Sequence, residues 1–403
     1  MIRFLTAGES HGEALTVIAE GFPSNIPLTA EFINQELKRR QVGYGRGGRM
    51  KIESDEVRIT AGVRFSKTLG TPISLTIFNR DWKNWEKKMS VAGKRPADVE
   101  KITVPRPGHA DLTGVTKYNF DDIRNSIERS SARETAARVA AGAIAKRFLA
   151  EFGIAIGSFV ESIGGVYSKK NHYVRILKNA EFDKTDLEKI LARAEKSEVR
   201  TIEKSHEKRI IAKIDEAKKT GNSLGGTCVI IATGLPAGLG SFVHYDRRLD
   251  TVISKNVMSI NAVKGIEFGL GFKIAEKFGS EVHDEIIHSE KGLTRKTNFA
   301  GGTEGGISTG LPVVIRVAMK PIATLMRPLD TIDLKDFSKK KARRERSDTV
   351  AVPACGVVAE AMLAWSIAET FVEKFGGDSL EETRDNYKNY VSKIEKRLRK
   401  NFG

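Results

Sequence analysis

Apolar and polar positions alternate in blocks that divide the chain into elements. Residues 1–20 read as an apolar strand, a polar turn bounded by glycines, and a second apolar strand from Leu15 to Ala19. In TAEFINQELKRRQ (29–41), Phe32, Ile33 and Leu37 recur at helical spacing behind Thr29, a good N-cap, and predict a helix. A glycine-rich loop, VGYGRGGRM, then runs into the strand-like MKIESDEVRIT. Residues 131–150 give the clearest helix. Ser131-Ala132-Arg133-Glu134 has the form of a capping box, and the alanine-rich run behind it suits a buried, closely packed helix. Residues 172–222 are polar, charged and helical in places. TCVIIAT (227–233) and LPVVIRVA (311–318) read as buried strands. Residues 356–375 read as a long apolar helix stopped by Gly376-Gly377, and the last twenty residues as a basic, exposed helix. Strands gather in adjacent groups between long helices instead of alternating with them, which predicts an α+β fold.

Composition narrows the class. The 403 residues allow one large domain or two ordinary ones, and 40% hydrophobic with 29% charged residues is a globular balance. Gly or Pro interrupts the apolar runs short of the ~20 residues a membrane helix needs, and the amino terminus lacks the pattern of a secretory signal. Cys228 and Cys355 are the only cysteines, so no disulfide framework is expected and a reducing, cytoplasmic setting is. Lys and Arg number 67 against 51 Asp and Glu, a net charge of +16. Such a chain can bind nucleic acid, an anionic membrane or a polyanionic small molecule, or simply carry a basic surface. The runs Lys339–Arg346 and Lys393–Lys400 contain no aromatic residue for base stacking, which argues against nucleic acid.

Several loops carry chemistry. Gly43-Tyr44-Gly45-Arg46-Gly47-Gly48 fits G-x-G-x-x-G, but it follows a helix and precedes a strand, the reverse of a dinucleotide fold, and no Walker lysine follows. Its interest lies in Arg39, Arg40, Arg46 and Arg49, whose guanidinium forks match phosphate and carboxylate; the alternative is a basic surface loop. Gly8-Glu9-Ser10-His11-Gly12 sets a histidine between glycines after a strand, for acid–base work or for structure alone. No G-x-S-x-G elbow makes Ser10 a nucleophile. Pro105-Arg106-Pro107-Gly108-His109-Ala110-Asp111 fixes Arg and His beside prolines, with Asp111 placed to orient His109, or is a plain connector. Arg129-Ser130-Ser131-Ala132-Arg133 opens the best helix, where free N–H groups attract anions. Asn261-Ala262, the Gly301–Gly306 run and Lys320-Pro321-Ile322-Ala323-Thr324 are small-residue loops suited to flat or phosphorylated ligands. Arg343, Arg344 and Arg346 lead into Ser347-Asp348, while Lys339–Lys341 read as solvated. No metal motif is present: His283 and His288 are badly spaced, and His172, His206 and His244 read as structural or surface residues.

GESHG, RQVGYGRGGRM, RPGHAD, RSSARETAARVAAGAIAKR, SINAVKGIEFGLGF, GGTEGGISTG, MKPIAT and RSD stand in the order found in chorismate synthases, and the chain resembles that family from residue 1 to about 375. The resemblance is thin near 165–220 and in the tail. It implies a single domain over 1–403, with a variable polar region near 165–220 and a basic helix near 380–403. It further implies helices sandwiched between antiparallel sheets, a cytoplasmic homotetramer, and neither nucleic-acid nor membrane partners. The implied reaction is anti-1,4-elimination of phosphate from 5-enolpyruvylshikimate 3-phosphate to give chorismate, with reduced FMN required but no net redox change. By motif, His11 would act as general acid at the substrate phosphate. His109 would lie near flavin N1 and balance the reduced ring, and Asp348 would lie near N5 and assist proton removal from C6. Ser10, Arg46, Arg49, Arg106 and Arg133 would grip the substrate. Arg129, Ser130, Ser131, Asn261, Ala262, Gly305, Lys320, Pro321, Ile322, Ala323, Thr324 and Arg346 would hold FMN. Arg40 and Arg46 match positions linked to NADP, NADPH being one possible reductant. Ala323 departs from the family, where many members have proline. A flavin oxidoreductase acting on a phosphorylated metabolite is the competing enzyme class.

Overall fold

In the computed structural model, which describes residues 1–46, 54–289, 292–344 and 348–402, the two amino-terminal strands form as the alternation predicts. Arg3–Ala7 and Ala14–Glu20 pair antiparallel and continue through Ile73–Phe78 to Val57–Ala61. Leu15, Val17, Ala19, Ile73, Leu75 and Ile77 are buried and alternate with more exposed neighbours, so one face of this first sheet covers the core.

Helix α1 (Ala30–Gln41) begins where Thr29 Oγ1 accepts a hydrogen bond from Phe32 N at 3.3 Å. Helix α2 (Ile123–Ser130) is capped by Asp122. The sequence suggested one helix starting at Ser131, but a new start interrupts a longer helical region there. Ser131 caps a 3₁₀ turn, Ala132–Glu134, and helix α3 (Thr135–Ala150) follows. The capping box does not close. Ser131 Oγ accepts from Arg133 N, while Glu134 turns away to accept from the Thr6 hydroxyl at 2.9 Å and from Arg138.

Helix α3 lies on the first sheet and against helix α4 (Val352–Phe375). Helix α4 in turn covers an antiparallel second sheet, ordered Val263–Phe268, Val313–Met319, Gly226–Thr233, Ala155–Ile163, Val166–Tyr167. The layers therefore run sheet, α3, α4, sheet, an α+β sandwich of helices between antiparallel sheets. Small side chains let the two helices touch: a Cβ on Gly142 would fall 2.3 Å from the Cβ of Ala361. Contrary to the expectation of interrupted apolar runs, α4 is long and apolar enough to span a membrane, because Pro353 and Gly356 sit in its first turns and do not end it. It is instead the buried axis of the core.

The polar region supplies His172–Leu177, Lys184–Ala194 and Lys204–Thr220. Tyr173, Leu177 and Leu187 join Val229, Ile231 and Val314 in a second apolar cluster on the outer face of the second sheet. Both faces of those strands are covered, which is why they read as continuous apolar runs. The carboxy-terminal helix α5 (Leu380–Phe402) is less exposed than expected. Tyr387 packs on Phe152 and Phe371 with ring centroids 5.4 and 5.5 Å away, and the Tyr390 hydroxyl donates to Ala237 O at 3.0 Å.

One buried carboxylate ties these layers together. Glu360 of α4 accepts from Arg39 at 2.7 Å, Lys146 at 2.6 Å and Ser158 at 2.6 Å. Burial alone would raise this carboxyl; Arg39, Lys146 and Arg200 outweigh it and hold it well below the usual range. Adjacent helical positions point about 100° apart, so Arg39 faces this node while Arg40 turns toward Asp55, and the two do not share one anion site. Replacing Gly142 by Ala is expected to cost ~1–3 kcal/mol through overpacking. The denaturant midpoint should fall at unchanged m-value; an unaltered midpoint would mean that α3 and α4 can part freely.

Candidate active site

A cavity of about 710 Å³ opens where loop ends from both sheets meet the starts of α3 and α4. Its lining includes Ser10, His11, Arg40, Arg46, Arg106, His109, Ser130, Ser131, Arg133, Asn261, Ala262, Lys320 through Thr324, and Asp348. Segments as far apart in sequence as residues 10 and 348 therefore share one hollow.

The turn carrying His11 is set by Gly8, whose φ of +109° leaves no room for a side chain: a Cβ would sit 2.3 Å from Ala14 O. Asn79 Nδ2 secures the other end by donating to Gly12 O at 2.6 Å. The imidazole stacks on Trp85, centroids 3.8 Å apart, and its Nδ1 lies 3.0 Å from both Glu128 carboxylate oxygens. Glu128 also accepts from His11 N at 2.8 Å and from Arg124 at 3.1 Å. Burial would raise the Glu128 carboxyl, but the His11 and Arg124 contacts hold it below its ordinary value. Beside it, the hydroxyls of Ser10 and Ser131 are hydrogen-bonded at 3.1 Å.

His109 is oriented as its loop suggested. Its Nδ1 lies 2.6 Å from Asp111 Oδ1, and Asp111 also accepts from Arg106 Nε at 2.8 Å and Nη2 at 3.0 Å. Burial works against the Asp111 carboxylate, yet His109 and Arg106 hold its pKa far below the usual range. Arg106 reaches on to Thr324 Oγ1 at 3.1 Å, and the Lys320 ammonium donates to Gly108 O, so the 106–111 and 320–324 loops are tied together.

The cationic wall rests on Asp55. Its carboxylate accepts from Arg40 Nη2 at 2.7 Å and from Arg133 Nη1, while Arg133 Nε donates to Asn79 Oδ1 at 2.9 Å. Burial raises the Asp55 carboxyl, but the two guanidiniums prevail and lower it. Burial and the neighbouring Arg133 and Arg46 charges lower Arg40, against the opposing pull of Asp55. Arg40 Nε and Arg133 Nη2 are buried without a hydrogen-bond partner among the described residues. Across the cavity Arg46 Nε lies 3.2 Å from Asp348 Oδ2. Cys355 adds an inert wall, its thiol pushed up to about 12 by burial.

The opposite side is built for close backbone approach. Asn261 Nδ2 donates to Ser130 O at 3.0 Å, and Ala262 is held at φ +66° with its carbonyl accepting from Lys320 N at 3.0 Å. A left-handed non-glycine residue is costly and marks a shaped site. Two predicted residues lie off the cavity. Arg129 donates to the carbonyls of Thr6 at 2.7 Å and Gly8 at 3.2 Å and so braces the His11 turn, and Gly305 turns the Thr303–Ser308 hairpin. Arg49 and Arg346 lie outside the described residues. Sequence reasoning missed Glu128, Asp55, Asn79 and Trp85. For Glu128 one local signal existed, its position four residues after Arg124, the spacing of a helical ion pair.

Such a cavity, cationic and equipped with two carboxylate-oriented imidazoles, suits an enzyme that acts on an anionic small molecule. The comparisons make the class specific. The chorismate synthase profile matches residues 2–372. The chain is 54% identical over 398 residues to chorismate synthase of Aquifex aeolicus, covering 98% of each chain, and 51% identical over 394 residues to that of Bacillus subtilis, covering 96% and 98%. A crystal structure of chorismate synthase superimposes with a TM-score of 0.78 at 45% identity over 98% of both chains. The chain belongs to the chorismate synthase family.

Asp55→Asn should destabilise the fold by ~3–5 kcal/mol at neutral pH, because two enclosed guanidiniums lose their counter-charge. The native carboxyl is depressed, so its contribution is complete above the unfolded value of about 3.9 and fades as pH falls below it. Denaturation of both proteins should give a constant gap above about pH 5 that narrows in stronger acid; a pH-independent gap would assign the loss to packing.

Proposed function

We propose that this cavity converts 5-enolpyruvylshikimate 3-phosphate to chorismate and phosphate by anti-1,4-elimination, in the shikimate route to aromatic amino acids, and that it does so with reduced FMN bound beside the substrate. The observation that carries the reading is the meeting of His11, His109, Asp348 and the guanidiniums of Arg40, Arg46, Arg106 and Arg133 in a single hollow of a family member.

The residues fit an anionic flavin and an anionic substrate together. Buried guanidinium nitrogens without a protein partner call for ligand oxygens. The volume lies within the usual range for ligand pockets, ~300–1,000 Å³. Ser130, Ser131, Asn261, Ala262 and the Lys320–Thr324 loop would hold FMN; Arg129, Gly305 and Arg346 are assigned to it by motif alone. When bound, reduced FMN supplies electron density to the breaking C–O bond and recovers it, leaving no net redox change.

The chain's own groups then divide the work. Arg46, Arg106 and Arg133, with Ser10 and with Arg49 by motif, bind the substrate's phosphate and carboxylates. Glu128 engages His11 at Nδ1 and leaves Nε2 as the proton donor for the departing phosphate, while stabilising the imidazolium that donates it. His109, steadied by Asp111, balances the negative charge of the reduced ring. Asp348, poised by Arg46, takes part in removing the C6 proton. Arg40 and Arg46 are the candidates for NADP contact if the chain reduces its own flavin with NADPH. We read the chain as one domain acting in a cytoplasmic homotetramer, with no nucleic-acid or membrane partner.

Anaerobic incubation with photoreduced FMN and the substrate should yield chorismate absorbance and one phosphate per turnover with reduced flavin conserved. Stoichiometric loss of reduced flavin would point to an oxidoreductase instead. His11→Ala and His109→Ala should each lower turnover by ~10²–10⁴-fold with the fold intact by circular dichroism; near-normal turnover would remove that residue from the mechanism. Asp348→Ala should be comparably slow while still binding FMN, and loss of FMN binding would make Asp348 structural.

A further inference from the structure

A second hollow, of about 1,110 Å³, lies outside the catalytic cavity between the 87–104 segment, the start of α2 and the hairpin formed by Asp330–Ile332 and Lys339–Lys341. Nine lysines and arginines line it against four carboxylates. Three of those carboxylates are already engaged. Asp98 pairs with Lys87 at 2.6 Å, Asp121 pairs with Lys101, and Asp122 caps α2 by accepting from Arg124 N at 2.9 Å. Lys94, Arg95 and Lys340 are exposed and make no close ion pair among the described residues, though Arg95 acts at longer range on Asp121 and Lys340 on Asp333 and Asp336. This gives the described part of the basic run a structural place, with Lys340, Lys341 and Arg343 on a groove wall.

Groove and cavity share a partition. Residues 102–104 line the groove and lead through Pro105 into Arg106 of the cavity. Arg124 lines the groove, bonds the Glu128 carboxylate that engages His11, and sits 5.0 Å from the centre of the Trp85 ring stacked on His11. Lys88 lies 5.2 Å from the same ring. The hairpin is fastened to this wall by Thr331 Oγ1 donating to Pro105 O and Leu334 N donating to Thr103 O, each at 2.9 Å.

Among the described residues the lining holds no aromatic ring, so it offers no platform for a nucleobase, a nicotinamide or a flavin. It suits a compact non-aromatic polyanion. We propose that the groove is an encounter site that gathers the substrate, with its phosphate and two carboxylates, beside the catalytic cavity and thereby speeds its association. The inference rests on the substrate assigned above. Clefts of one sign raise association rates by about 10–10³-fold, and the effect collapses as salt shortens the screening length.

The test is stopped-flow mixing of 5-enolpyruvylshikimate 3-phosphate with the FMN-loaded full chain at about 10 mM and at about 1 M salt, where the screening lengths are roughly 30 and 3 Å. Three proteins are compared: the unaltered chain, the groove variant K94E/R95E/K340E, and the control K388E/K393E/K396E, which makes the same charge change on the exposed face of α5. The groove variant should associate about tenfold more slowly at low salt, with a flattened salt dependence. The control should stay within about twofold of the unaltered chain, since its charges lie on another surface. Equal slowing in both variants would reduce the effect to net charge and overturn the encounter site, as would unchanged association in the groove variant. If the unaltered chain neither binds nor turns over the substrate, the functional reading itself fails, a result distinct from either of these.

Discussion

Charges of like sign cannot be crowded into a dry hollow unless each is answered from behind, and that constraint shapes this molecule. Two unit charges 4 Å apart repel by about 4 kcal/mol at an effective dielectric of 20. Here Asp55 answers Arg40 and Arg133, Asp111 answers Arg106 and His109, Glu128 answers His11, and Asp348 answers Arg46. Asp55, Asp111 and Glu128 meet their cations from behind the cavity lining, whereas Asp348 lines the cavity beside Arg46. For the Asp55 pair, two buried guanidinium nitrogens are left over, and the oxygen acceptors of a bound guest can satisfy them without displacing the carboxylate.

This arrangement ties site to fold. Asp55 comes from the approach to the first sheet, Glu128 from α2, Asp111 from the start of the helix Asp111–Tyr118, and Asp348 from the approach to α4. None is near its partner by local spacing except Asp111, so the site exists only when both sheets have closed on α3 and α4. The small residues at the α3–α4 contact therefore act on chemistry at a distance: they set how closely the halves carrying these charges approach. Glu360 has the same role on the far side of α1, fixing Arg39 so that Arg40 is presented to the cavity.

What could be read from the sequence follows the range of the interaction. Strand alternation, the Thr29 cap and the alanine-rich helix are decided within a few residues, and they were legible. The His11 and His109 loops were legible because glycine and proline fix the local backbone and Asp111 lies two residues from His109. The break at Ser131 was not, since SSARE reads as a helix start whether or not another helix precedes it. That Arg129 also braces Thr6 and Gly8 was not legible, because its end of α2 faces residues that lie 123 and 121 positions away. Asp55 and Glu128 carry no signal in a list of residues, for their meaning depends on guanidinium and imidazole groups that the chain brings back 78 and 117 positions away.

The net charge of +16 then resolves into two populations that obey different physics. Enclosed cations such as Arg40 and Arg133 are paired, poorly screened and effective at any salt, so they govern what is held once inside. Exposed cations such as Lys94, Arg95 and Lys340 are immersed in solvent, contribute little to stability, and act over a screening length on whatever approaches. Beside the groove the aromatic ring stands at the partition, with Trp85 between the Arg124 side and His11. On the proposed reading both populations serve one small polyanion, met first at the surface by screened charges and then in the cavity by enclosed ones.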